Sequence, residues 1–514
     1  MTSQEQSIAS LYLKMPVLPA LFILLVSAAT RFYELSAPAI WSDEAFSLLL
    51  SKLPPDQIIA HAIQDVHPPL YYLVLHAWMV FFGESVFAAR SLSALAGVGT
   101  VLLGMWLLRL LSTSRASLLG GGLLALLPMA VRYSQEIRMY SLFGFFMMGA
   151  AIALIYWVSN PTNNKALAAF SALMLSGAYL HYFAGVCMAS FWCFVLFSAI
   201  RDKTVRLDLS KWCLANLFVF LFYLPWIPSF LHQMTNSGFS WIVRPDLHTV
   251  AAVVWQFINY SDGYGQSQWL LYGVSLGFLL MSLVPVLSSQ EAFFGGVFLG
   301  LYTWFPILFV LMVSLFYPLF VDRYFLFAGL GLPLIIGLVL NVVLLKSKFC
   351  FWFFLFVVLV FEVSGLFNVH ARGHAVYDEI NKIDEVADYV NANYRVGDAV
   401  LVINGFLYFP LCYYNKTEAL PMIYTPLDEN GASTRPNGYQ IWTLTQKRAS
   451  EIYLDRMDEL KSDSGRVWVV NSRDSTSDVP DYWHLVDAFR AGDSYVQLYE
   501  VSSEPKEFRA SFFP

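Results

Sequence analysis

The chain has 514 residues, 57% hydrophobic and 13% charged, with a mean hydropathy of +0.56 and a net charge of −6. Soluble domains carry roughly 25% charged residues, so this composition excludes an ordinary soluble protein and predicts a polytopic membrane protein. The pI of 5.9 and the lack of any basic stretch exclude a nucleic-acid partner.

The N-terminal run MTSQEQSIASLYLKMP has no basic n-region, and no small-residue cleavage site follows the first apolar run. Residues 16–33 are therefore expected to remain as a span and not to leave as a signal peptide. A spanning helix takes about 20 mostly apolar residues. Ten further segments qualify: 88–111, 115–132, 138–158, 165–182, 184–200, 211–231, 268–287, 292–316, 324–345 and 349–369. The stretch 67–83, HPPLYYLVLHAWMVFFG, is apolar but shorter. Four of the five cysteines lie in or beside spans, and only Cys412 falls in the polar C-terminal part. No pair has CxxC spacing, so neither a disulfide in that part nor a cysteine-based zinc site is expected.

Loop charge sets sidedness, because cytoplasmic loops concentrate Lys and Arg. If 67–83 lies in the interface and the N-terminus is inside, the inner loops hold Arg109, Arg115, Lys165, Arg201, Lys203, Arg206, Lys211, Lys346 and Lys348. If 67–83 crosses, those loops fall outside. The expected topology is therefore about eleven spans, with interfacial helices in the first outer loop, the N-terminus inside and the C-terminal part outside. Residues 1–369 form the membrane domain and 370–514 an extracytoplasmic α/β domain.

In that second domain, 377–394 places Ile380, Ile383, Val386, Ala387 and Val390 on one helical stripe. Residues 397–403 and 466–472 read as buried strands, 449–460 as a helix between them, and 484–501 as a hairpin around Ala491–Gly492–Asp493. The order predicts a small, partly parallel sheet. It contains no phosphate-binding glycine fingerprint.

The unusual polar residues gather on the outer side. In WSDEAF (41–46), Asp43 and Glu44 sit just past the first span. A short helix over 42–51 with Ser42 as N-cap would put Asp43, Ser47 and Ser51 on one face, while Glu44 points elsewhere. In DVHPPLYY (65–72), two prolines lead into a helix and present His67 at its N-terminus, a place suited to an anion. RYSQEIRMY (132–140) carries Arg132, Glu136, Arg138 and two tyrosines at a span junction, where Arg132 and Glu136 are spaced to pair. HYF (181–183) and VDRYFLF (321–327) bring His181 and Arg323 to the outer ends of spans.

Taken in order, WSDEAF, HPPLYYLVLHAWMVFFGES with Arg90, YSQEIRMYSL, HYF and DRYFLF resemble the GT-C glycosyltransferases of the Rgt-like, aminoarabinose-transferase and protein O-mannosyltransferase clan. The resemblance is clearest over about residues 30–200. It implies a plasma (inner) membrane enzyme that takes a sugar from a polyprenyl-phosphate donor and passes it to a lipid, glycan or protein acceptor on the outer face. Asp43 falls on the clan's first-loop catalytic acid, Glu136 near the second acidic position, and Arg323 on the basic residue before a later span. His67 falls where the aminoarabinose branch has an acid-Lys-Pro-Pro run contacting lipid phosphate; here the run is Val66-His67-Pro68-Pro69.

Such a transfer needs a base for the acceptor hydroxyl and positive charge for the departing phosphate. Asp43 suits the first role, with Glu44 and Glu136 as the other acids of the site. Arg138, Arg323 and His67 suit the second. Tyr71, Tyr72, Tyr140 and His181 suit a wall for sugar or acceptor. The sequence requires no cofactor and admits a divalent cation without naming its ligands. Two rival readings are a transporter or flippase for lipid-linked sugar and a non-enzymatic envelope assembly protein. A transporter is expected to show internal repeats and ionisable residues near the bilayer midplane, and neither is evident: no charged residue is clearly placed mid-span.

Overall fold

The computed structural model describes residues 16–201, 207–236, 242–261, 263, 265–288, 290–371, 381–460, 462–473 and 479–501. Among these, seven helices are long and apolar enough to cross a membrane: Val86–Leu111, Tyr140–Ser159, Ala184–Arg201, Leu209–Asn236, Ala292–Ser314, Asp322–Lys346 and Lys348–Ala371. A bent pair, Ser114–Leu126 with Pro128–Ser134, makes an eighth. The protein is a polytopic helical membrane protein with a mixed α/β sheet. Val17–Phe32 and Gln268–Met281 are apolar but shorter, so the described helices meet the length criterion at fewer positions than the eleven expected. The stretch at 67–83 forms a helix only over Leu70–Phe82, 13 residues. At 1.5 Å per residue it reaches about 20 Å, against about 30 Å of hydrocarbon.

The chain packs as two compact units that are not consecutive in sequence: Met1–Leu35 with Val66–Ala371, and Ser36–Asp65 with Arg372–Pro514. Residues 36–65 of the first loop thus form one compact unit with the C-terminal part.

In the first unit, Pro128 breaks a helix and turns it by 57°. Proline has no N–H for the carbonyl four residues back, and the carbonyls left at the bend are taken by Arg31. Its Nη2 donates to Leu124 O at 3.3 Å and its Nη1 to Ala125 O at 2.9 Å. Past the bend, Gln135 Nε2 donates to the carbonyl oxygens of Arg31 and Tyr33 at 3.2 and 2.8 Å. The bend is thereby tied to the end of the Val17–Phe32 helix, and the segment carrying Arg132, Glu136 and Arg138 leaves it at a defined place.

In the second unit, six strands lie in the order β3-β2-β1-β4-β6-β5. They are β1 Ala399–Val402, β2 Met422–Tyr424, β3 Tyr453–Leu454, β4 Arg466–Ser472, β5 Trp483–Ala491 and β6 Ser494–Val501. β3, β2, β1 and β4 run parallel; β6 pairs antiparallel with β4 and β5. β5 and β6 close as a hairpin with Ala491 opposite Ser494, so Gly492 and Asp493 form a two-residue turn, with Gly492 at φ +58°. The Ile383–Asn393 helix buries Ile383, Val386, Ala387 and Val390, and stacks Tyr389 on Phe489 with ring centroids 4.5 Å apart. Residues 377–380 of the expected helix lie outside the described residues. Residues 449–460 are not one helix: a turn at Ala449–Ile452 gives way to β3 and then a 3-10 turn at Met457–Glu459. Pairing of Tyr453 and Leu454 with β2 overrides the local helical pattern.

Residues 36–65 join this unit through specific contacts. Ile40 N donates to the Tyr414 hydroxyl at 3.1 Å, and Asn381 Nδ2 donates to Ile40 O at 3.0 Å. Phe46 meets Phe409 edge-on at 6.4 Å. His61 Nδ1 lies 2.8 Å from Thr443 Oγ1, and Gln440 N donates to Gln64 O at 3.0 Å.

Candidate active site

The two acids of the first loop lie in the second unit. Ser42–Ser51 is a helix, as expected, but its N-cap is Trp41, which makes no side-chain cap bond. Trp41 O accepts from Ala45 N at 2.9 Å, which makes Ser42 the first helical residue and corrects its expected capping role. Asp43 and Glu44 occupy the first turn, where a negative charge complements the helix dipole. Ser47 Oγ donates to Asp43 O at 2.8 Å. Asp43 is half-buried, while Glu44 is 1% exposed and so does not face lipid headgroups.

The other expected residues lie in the first unit, and several come together. His67 precedes the helix that starts at Leu70, with Pro69 as its N-cap. Its ring is 5.8 Å from that of His181, which caps the C-terminus of Asn164–Leu180. Tyr140, the first residue of its helix, is 6.1 Å from His181. Tyr324 is 5.1 Å from the same ring, and Phe183 N donates to His181 Nδ1 at 3.2 Å. Arg323 stands in the 3-10 turn Asp322–Phe325, its guanidinium carbon 6.0 Å from the Tyr324 ring. The charges of His67, Arg138 and Arg323 all bear on His181. His67, Arg138, Tyr140 and His181 are all buried. Tyr71 and Tyr72 are buried and form their own edge-to-face pair at 5.8 Å.

A second set adjoins this one through Tyr133 and Tyr140, whose rings are 5.2 Å apart. Arg132 Nη2 reaches Glu136 Oε1 at 3.4 Å, with the two side chains only 3% and 2% exposed. Arg132 Nε donates to the Tyr260 hydroxyl at 3.0 Å. Burial pushes the Tyr260 phenol up, and the Arg132 charge beside it works the other way. Asp322, Glu136, Tyr260 and Arg323 all act electrostatically on Tyr133. The cluster thus joins the basic residues His67, His181, Arg138, Arg323 and Arg132 to Glu136, Asp322 and several tyrosines. Such a set can meet the charge of a phosphate and the hydroxyls of a sugar.

Sequence reasoning missed Tyr260, Asp322 and Tyr324 as members of this cluster, and noted Tyr133 at its span junction without a role. Asp322 and Tyr324 stood next to Arg323 in DRYF and were within reach of the motif; Tyr260 carried no local signal. Among the described residues, no group of three or more His, Cys, Asp or Glu side chains is placed to hold a metal. One expectation is overturned: Glu362 lies well inside the Lys348–Ala371 helix, 1% exposed, with neither carboxylate oxygen hydrogen-bonded among the described residues.

Neither a family model nor a curated protein sequence matches the chain. Solved structures do. ArnT from Cupriavidus metallidurans in the apo state is similar over 94% of this chain and 97% of its own, with a TM-score of 0.59 at 12% identity. The same protein bound to undecaprenyl phosphate gives 0.57 at 11% identity, covering 94% of this chain and 98% of its own. The oligosaccharyltransferase AglB from Archaeoglobus fulgidus, in complex with an inhibitory peptide and a dolichol-phosphate, gives 0.52 at 10% identity over 89% of this chain and 69% of its own. At these identities the likeness is one of fold, and that fold is the one shared by the GT-C membrane glycosyltransferases.

Proposed function

We propose that the protein transfers a sugar from a polyprenyl-phosphate donor to an acceptor hydroxyl on the extracytoplasmic face of the plasma (inner) membrane. One observation carries this reading: the rings of His67, Tyr140 and Tyr324 stand 5.1 to 6.1 Å from that of His181 in a largely buried cluster, with the Arg323 guanidinium beside Tyr324, within a fold whose solved examples include proteins holding undecaprenyl phosphate and dolichol-phosphate. Positive charge gathered in one largely buried place suits a ligand that brings negative charge.

In this reading the Asp43 carboxylate takes the proton of the acceptor hydroxyl. The acceptor oxygen bonds to the sugar's anomeric carbon as the bond from that carbon to the phosphate oxygen breaks. The electron pair leaves on the polyprenyl phosphate, whose added charge Arg138, Arg323 and His67 offset. A single displacement inverts the anomeric centre. Asp43, now the carboxylic acid, returns its proton to water. Glu136 and the tyrosines hold sugar hydroxyls, Glu44 supports the Asp43 helix, and no cofactor is invoked. The acceptor is a lipid, glycan or protein bearing a hydroxyl. The N-terminus is cytoplasmic and the C-terminal part extracytoplasmic, by the Lys and Arg content of the inner loops.

The test is turnover of purified protein with a short-chain polyprenyl-phosphate hexose. Release of polyprenyl phosphate with sugar passed to an acceptor or to water is the expected result. Movement of intact donor between leaflets of proteoliposomes, with no bond broken, would replace the reading with that of a flippase.

A further inference from the structure

The backbone of Tyr260 is unusual. It caps the C-terminus of Leu247–Asn259 in the left-handed region, at φ +49° and ψ +54°, a place where glycine is the usual residue. A side chain there is strained, and such strain persists only where the surroundings impose it.

The surroundings do impose it. Asn368 Nδ2 donates to Asn259 O at 2.8 Å and to Asn259 Oδ1 at 2.9 Å, and Asn259 Nδ2 reaches Ser364 Oγ at 3.4 Å. Ser261 Oγ takes the Trp255 indole N–H at 2.7 Å. The Lys348–Ala371 helix comes close enough for these bonds because residue 365 is glycine. A Cβ there would sit 2.8 Å from Asn259 Cα and 2.4 Å from Pro128 Cγ. The residues on both sides of Tyr260 are thus held, and its phenol is delivered to Arg132 Nε at 3.0 Å. The same guanidinium meets Glu136 through Nη2.

The geometry points to Tyr260 as a positioning residue: its hydroxyl fixes the Arg132 guanidinium, and through it the direction of the Glu136 carboxylate. The inference rests on the glycosyl-transfer reading for what Glu136 does, but not for the linkage itself. Removing the hydroxyl takes one hydrogen bond from the Arg132 guanidinium and loosens the direction it gives the Glu136 carboxylate. Donor affinity set by His67, Arg138 and Arg323 stays as it was, while the geometry of the reacting sugar is disturbed.

The experiment is a cycle of Tyr260→Phe, Glu136→Gln and the double variant, read by donor turnover and by thermal unfolding of the purified protein. Loss of a hydrogen bond to a charged group is worth about 1.5–3 kcal/mol, so Tyr260→Phe should lower kcat about tenfold or more and leave the donor KM within about twofold. In the Glu136→Gln background the same substitution should add almost nothing. A full second loss in that background, or an unchanged kcat in Tyr260→Phe, overturns the inference. If the wild-type protein turns over no donor, the glycosyl-transfer reading fails by itself. The linkage is then decided by the unfolding midpoints: shifts smaller in sum than their parts uphold it, and strictly additive shifts overturn it.

Discussion

Asp43 and Glu44 are adjacent in sequence and differ in environment, half-buried against 1% exposed. Asn is nearly isosteric with Asp but takes no proton at neutral pH. Asp43→Asn should therefore keep expression and donor binding while cutting transfer by about 10²-fold or more, the lower range for a general base. Glu44→Gln should leave most turnover and shift the unfolding midpoint instead, because its side chain is buried against the unit's packing. Paired kinetic and melting measurements check both, and equal small losses in turnover would remove Asp43 from the base role. Arg138→Ala should raise the donor KM about tenfold without unfolding the protein, since it takes one charge from the cluster; a KM equal to wild type counts against phosphate binding there. At this scale the members of the clustered set were largely legible. His67, Glu136, Arg138, His181 and Arg323 stood out because charge and imidazole beside apolar spans are rare and costly. Tyr260 did not, because a tyrosine near a membrane surface is common and its partner Arg132 is far away in sequence.

At the level of elements, the helix from Pro55 to Ala62 gives a direct handle on the packing of the first loop. His61 meets Thr443 in the C-terminal part. Burial holds its imidazole below the ordinary histidine value of 6.5, and the charge of Lys447 adds to the effect. The unfolded chain then binds the proton more readily than the folded one. The contribution is favourable above about pH 6.5 and is lost as pH falls from there toward the lowered folded value. Thermal unfolding followed from about pH 7.5 to about pH 5 should show a falling midpoint, and His61→Asn should flatten that slope. An identical slope in the variant would mean that His61 is not held by this packing. Elements were read well where their signal is intrinsic. Long apolar runs became helices, and Ile383, Val386, Ala387 and Val390 buried their stripe as their spacing predicted. The signal failed where pairing decides. Tyr453 and Leu454 became β3 through β2, and nothing in residues 36–65 announces that their packing partners begin beyond residue 380.

For the whole molecule, the proposed orientation is open to labelling. The one cysteine of the C-terminal part, Cys412, has its thiol pushed up to about 12 by burial, so it should stay silent toward maleimides at neutral pH. Glu429, exposed, offers a reporter: Glu429→Cys should react in intact cells with an impermeant maleimide, and reaction only after permeabilisation would reverse the orientation. Glu362 bears on the rival reading. A transport pathway uses a chain of ionisable residues, whereas Glu362 has no hydrogen-bonded partner among the described residues. Glu362→Gln should leave turnover within about twofold of wild type; a larger loss would give Glu362 a part in the transfer itself. The packing of residues 36–65 with the C-terminal part also carries a schedule. Asp65 and Arg372 are separated by roughly 300 residues, and at about 5–20 residues per second the ribosome needs ~15–60 s to make them. Throughout that interval the segment bearing Asp43 has been synthesised while its packing partners in the C-terminal part have not. The proposed base is among the first groups made and among the last to be set in place, so a chain that stops at the last span would carry Asp43 on a segment without the partners that shape it.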